Sequence, residues 1–136
     1  MNRINEELVF HTAFAPQSVA ASTEKTSDYI DVSGVEEIVF LVSVAPLGAN
    51  KSLTVTMLAS DDSSGGEAEE VETATFTDTV GTAPQTAVVS YRPSALSGRY
   101  MAVKFQHDAA AAVVCGVVVA ANTMYLPAAN GWTLVV

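Results

Sequence analysis

Residues 98–122, GRYMAVKFQHDAAAAVVCGVVVAAN, constrain the fold more than any other stretch. The first half alternates. Met101, Val103 and Phe105 fall on one face, and Tyr100, Ala102, Lys104 and Gln106 on the other. A period of two is that of a strand with one face on a core. The second half, Val113 to Ala120, is apolar at nearly every position. A strand of that kind is covered on both faces, within its own fold or by a neighbouring chain. With His107-Asp108-Ala109 as the turn, the stretch reads as a β-hairpin. Its apolar run, residues 109–121, falls well short of the ~20 residues a membrane helix needs and is rich in β-branched side chains.

The rest of the chain punctuates in the same way. Strands are expected at 7–15 (stopped by Pro16), 29–32, 35–44, 52–60, 71–76 and 86–91, with a short one possible at 18–22. In 35–44 the core-facing set is Ile38, Phe40, Val42 and Val44, and Val39 and Leu41 make the second face apolar as well. In 52–60 it is Leu53, Val55, Met57 and Ala59. No helical period persists over three turns. Turn signals recur at the spacing of an all-β, antiparallel β-sandwich of about eight or nine strands, either jelly-roll or immunoglobulin-like. The 136 residues suffice for one domain. Within it, 1–27 form an N-terminal arm and first strands, 28–122 the sandwich core, and 123–136 a C-terminal arm.

Few residue types here carry chemistry. There are two histidines, His11 and His107, and one cysteine, Cys115, which sits in an apolar strand as a small core hydrophobe. No G-x-S-x-G, H-E-x-x-H, C-x-x-C or phosphate-cradling glycine loop occurs. The sequence therefore predicts no enzyme, no catalytic residue and no cofactor. Asp61, Asp62, Glu67, Glu69, Glu70, Glu72 and Asp78 form an acidic stretch. It reads as a solvated loop and a charge-blunted edge strand, with a calcium site as the alternative, although the D-x-D-x-D-G spacing is missing. The net charge of −9 argues against nucleic acid and against an anionic membrane surface. The N-terminus has no signal-peptide architecture, which suggests a protein made in a reducing cytoplasm. Asn50-Lys51-Ser52 matches a glycosylation sequon by chance.

Candidate contact residues lie near the ends and around the hairpin. Phe10 and Phe14 give the N-terminal arm apolar weight. Trp132, Leu134, Val135 and Val136 do the same for the C-terminal arm, which is expected to dock on its own sheet or, preferably, on a neighbouring subunit. Arg92, Arg99 and Lys104 form a basic group suited to an acidic partner surface or to solvent. Strands that are apolar on both faces predict a homo-oligomer, with a trimer favoured.

Four passages resemble small tailed-bacteriophage virion structural proteins of the capsid decoration (cement) or head-accessory type. They are Asp31-Val32-Ser33-Gly34-Val35-Glu36-Glu37-Ile38-Val39-Phe40, Leu53 to Ala59 followed by Ser60-Asp61-Asp62, Ser90-Tyr91-Arg92 before Gly98 to Lys104, and the Val-rich strand after it. The matching region spans roughly residues 28–122. The chain departs from the family at Ser63-Ser64-Gly65-Gly66, where an aromatic is usual, and in its Trp132 tail. The resemblance implies a virion protein on the capsid surface, made in a bacterial host. Its partners would be the major capsid protein and itself, with no catalytic residues. Rival readings are a neck, tail or head-fibre component, and a carbohydrate-binding module.

Overall fold

A computed structural model of the chain describes residues 3–94, 98–123 and 130–132. After one helical turn, α1 (Ile4–Glu7), come nine strands: β1 (Leu8–Val19), β2 (Lys25–Thr26), β3 (Ile30–Asp31), β4 (Val35–Val44), β5 (Lys51–Ser60), β6 (Glu69–Asp78), β7 (Gln85–Tyr91), β8 (Tyr100–His107) and β9 (Val113–Thr123). They form two antiparallel sheets. The first has the order β1-β9-β4-β7, and the second β2-β8-β5-β6 with β3 also on β8.

The pairing is nested. β1 pairs with β9, β2 and β3 with β8, β4 with β7, and β5 with β6. If β2 and β3 are one interrupted strand, first pairs with last, second with second-last, and so on inward. That is the order of a jelly roll, which closes the choice that the sequence left open.

It also corrects the hairpin. β8 and β9 lie in different sheets, and the residues between them cross from one sheet to the other. Periodicity reports which face of a strand is buried and says nothing about which strand lies beside it. His107 holds this crossing and is buried. Its Nε2 lies 2.7 Å from the Val19 carbonyl at the end of β1, and its Nδ1 accepts from the Ala109 N–H at 3.2 Å. Asp108 continues the corner by accepting from the Ser52 N–H at 2.6 Å.

β1 does not stop at Pro16. It runs on to Val19 with two irregularities in register, between Thr12 and Phe14 and between Phe14 and Gln17. Proline is tolerated because β1 is an edge strand and needs no ladder donor there. Gly116 on β9 makes room for it: a Cβ at that position would sit 3.2 Å from the Pro16 ring.

The core lies between the sheets. Ile38, Phe40, Val42, Val117 and Val119 come from the first, and Val55, Met57, Met101, Val103 and Phe105 from the second, all essentially inaccessible. Phe14 meets Phe105 edge-on, with ring centroids 5.1 Å apart. The Cys115 thiol is buried, and that burial pushes its pKa up to about 11, so it stays a neutral core group. Among the described residues no buried side-chain polar atom lacks a partner.

Candidate interaction surface

β9 is fully covered on one face and only partly on the other. Val113, Cys115, Val117 and Val119 point into the core, while Val114 and Val118 are 51% and 37% exposed. The second apolar face expected from the sequence is real, and among the described residues it is left partly open: Ala120 is buried on it, while Val114 and Val118 are not.

Register assembles that face into rows. Phe10, Ala120, Val39 and Ser90 lie side by side across β1, β9, β4 and β7. Thr12, Val118, Leu41 and Val88 form the next row. Phe10 is 42% exposed and Val88 55% exposed, while Val39 and Leu41 are half-buried. Neither row contains a charged residue. At the rim, Arg92 and Glu37 form an exposed ion pair at 3.3 Å. The result is an uncharged apolar surface on a chain of net charge −9.

The outer face of the second sheet is polar. Ser52 faces Thr77 at 3.1 Å, Thr54 faces Thr75 at 3.5 Å, and Thr56 faces Thr73 at 3.1 Å, a ladder of hydroxyl pairs. Beside it is a groove of about 210 Å³ lined by Glu24, Ser52, Thr54, Lys104 and Gln106. Its two rings, Phe105 and His107, are buried, so it offers no stacking platform.

The basic group separates. Arg92 ends β7 on the first sheet and pairs with Glu37. Arg99 binds Asp31 at 2.9 Å. The Arg99 guanidinium and the Ser33 N–H hold the Asp31 carboxyl well below the usual carboxylate range. Lys104 bonds Glu70 at 2.8 Å and lies 3.9 Å from Glu24. The three residues thus serve separate ion pairs, because partners distant in sequence claim each one.

The acidic stretch disperses too. Asp62 accepts from the Ser64 N–H and hydroxyl at 2.9 and 2.8 Å, closing a turn, and these bonds lower its pKa. Asp78 is buried and accepts from the Gly81 N–H at 2.8 Å. Gly81, at φ +78°, has no room for a side chain against Gly48 and Ala49. Glu69, Glu70 and Glu72 line the β6 edge. Among the described residues no three His, Cys, Asp or Glu groups come together as a metal-holding set.

Of the expected contact residues that the structure describes, only Phe10 belongs to the apolar rows. Phe14 is half-buried against Phe105. Trp132 is fully exposed, so its indole is not docked on the described sheets. Leu134, Val135 and Val136 lie outside the described residues. Asn130 does reach the fold: its side chain donates to the Asn5 and Leu8 carbonyls at 2.9 and 3.0 Å and accepts from the Phe10 N–H at 2.8 Å. Val88, Val114 and Val118 escaped the sequence reading as surface residues. For Val114 and Val118 the signal was the missing alternation in β9, and Val88 on β7 joins them only through register. His11 is exposed on β1, remote in pairing from the corner built on His107.

No protein-family model matches the sequence, and neither does any curated protein. Solved structures share the fold. The PBSX exported protein XepA aligns with a TM-score of 0.60 at 10% identity, over 100% of this chain and 44% of that one. A chain from the structure of infectious bursal disease virus, Gx strain, aligns with a TM-score of 0.51 at 12% identity, over 85% of this chain and 32% of that one. Dimeric latent PorU from Porphyromonas gingivalis aligns with a TM-score of 0.50 at 11% identity, over 87% of this chain and 13% of that one. The chain thus spans less than half the length of each, and the likeness is one of fold. Among the described residues no helix is long and apolar enough to cross a membrane.

Proposed function

We propose that this chain is a non-enzymatic structural component of a virus particle, a capsid decoration protein that binds the outside of an assembled bacteriophage head. The observation that carries the reading is the uncharged apolar outer face of the first sheet, centred on Val39, Leu41 and Val118. A rigid jelly roll with one such face is suited to lying flat on another protein. The fold shared with a chain from a virus structure supports the reading, as do the sequence passages that resemble decoration proteins.

The mechanism is area burial across junctions between shell subunits. Full burial of a Val or Leu side chain is worth about 1.5–3 kcal/mol, and the face offers several that are half-exposed. Association costs consume much of this for one copy. A lattice of copies touching neighbouring subunits recovers it through avidity. The apolar centre with an ion-paired rim at Arg92 and Glu37 matches the anatomy of protein interfaces.

The test is loading onto purified shells. Val118→Glu places a carboxylate in the middle of the face and should lower shell affinity at least 100-fold while leaving the circular dichroism unchanged. Undiminished loading of a folded Val118→Glu variant defeats the proposal. Copy number in intact particles separates decoration, at hundreds of copies, from a neck, tail or head-fibre role at a few dozen or fewer.

A further inference from the structure

A jelly roll leaves four sheet edges, and an unpaired edge is a template for another strand. Three edges of this molecule are guarded, each differently. β1 is interrupted by Pro16 and two register shifts, and the Asn130 amide occupies its Leu8 carbonyl and Phe10 N–H. β2 and β3 are two residues each. β6 carries Glu69, Glu70 and Glu72. The fourth edge, β7, shows no such device among the described residues. Its seven residues, Gln85-Thr86-Ala87-Val88-Val89-Ser90-Tyr91, include no charge and no proline, and they pair with β4 without a register shift. Among the described residues no strand pairs with its far side.

We infer that β7 is a self-pairing edge, joining β7 of a second copy in antiparallel fashion about a two-fold axis at Val88. The sequence is self-complementary in that arrangement. Val88 faces Val88, Ala87 faces Val89, Thr86 faces Ser90, and Gln85 faces Tyr91. These are β-branched and hydroxyl cross-strand pairs with no like charges opposed. A second copy is the occupant because two-fold symmetry needs no complementary charge on the partner, and an edge without charge is where two chains of −9 can meet. The pairing makes one eight-stranded sheet from two copies of the four-stranded one and joins their apolar outer faces into one surface. It is two-fold, where the sequence alone favoured a trimer, because face patterns carry no information about edges. It rests on the edges and stands whether or not the shell reading does.

The charge has a signature. Each copy carries a net charge of −9. Pairing brings two like-charged molecules together, and association must strengthen as salt screens their repulsion.

Sedimentation of the full chain at tens of micromolar should show a dimer that tightens from low to physiological salt. Val88→Glu should be monomeric with an unchanged β-sheet spectrum, and its melting midpoint should match that of the native chain diluted until it dissociates. Val88→Cys, oxidised with copper–phenanthroline, should yield a disulfide dimer. Antiparallel partners stand about 4.5–5.5 Å apart at Cα, within disulfide reach. The native Cys115 is buried and does not compete. Val114→Cys, on β9 and two strands in from the edge, should not crosslink. Val118→Glu should remain dimeric even where it loses shell loading, which separates this inference from the shell reading. A monomer at 100 micromolar, a trimer, association weakened by salt, or crosslinking of Val114→Cys as fast as that of Val88→Cys overturns the inference.

Discussion

The two outer faces of the sandwich grow from strands over one shared core, yet they present opposite chemistries. On the first sheet the outward positions of β4 and β9 hold Val39, Leu41, Val114 and Val118. On the second, the outward positions of β5 and β6 hold Ser52, Thr54, Thr56, Thr73, Thr75 and Thr77. Threonine and valine are both β-branched and suit strands equally well, so the backbone is indifferent to the choice. What differs is the relation to water. The hydroxyl ladder is content in solvent, and the valine surface gains by leaving it. Strand formation and surface function are therefore separable in this chain, position by position.

The largest expected effect tests whether the difference is confined to the outside. Phe40→Ala beneath the first sheet and Phe105→Ala beneath the second should each cost about 3–5 kcal/mol in urea denaturation. Unequal costs would mean the sheets differ in their cores as well. Next comes the corner that ties the sheets together. His107→Ala leaves the Val19 carbonyl and the Ala109 N–H without their ring partner, a loss of about 1–3 kcal/mol on the same assay. A third variant attempts to erase the comparison. Thr54→Val and Thr75→Val together, which remove both members of one hydroxyl pair, should change stability by under about 1 kcal/mol, since surface substitutions away from special features rarely do more. They should, however, raise binding of a hydrophobic dye such as ANS, which a Val39→Thr, Leu41→Thr and Val118→Thr exchange should lower.

The smallest effect is the acid response of the second sheet's flank. The Arg99 and Ser33 bonds depress the Asp31 pKa in the folded state. A depressed carboxylate contributes stability above its unfolded pKa, near 4, and that contribution fades as pH falls below it. The pair is exposed, so the change is slight. Asp31→Asn should flatten the melting midpoint between pH 4 and pH 2 relative to the native chain, and an unchanged slope would show that other groups carry the acid response.

Much of the fold was legible because alternation is a local property. The limits of β4 and the inward set of β5 follow directly from residues 35–44 and 52–60. Strand partnership was not legible. His107 looked like a hairpin turn, since a short loop and a sheet-crossing corner have the same composition. Pro16 looked like a stop, since only an edge position lets a proline continue a strand. Arg92, Arg99 and Lys104 looked like one basic group, since their acids Glu37, Asp31 and Glu70 are remote in sequence. The surface was half legible. The doubled apolar character of β4 and β9 announced it, and register alone gathered Phe10 and Val88 beside them.

The nested pairing sets a timetable for synthesis. β5 and β6 meet across a short loop and can close as soon as both have emerged, whereas β1 waits for β9, with Val19 and Val113 the nearest of its partners along the chain. Long loops close late and slowly, and pairings of this kind favour slow folding. During that interval Phe10 and its neighbours hang from a growing chain without their sheet. The irregular, proline-bearing build of β1 makes it a poor template for a foreign strand over that wait.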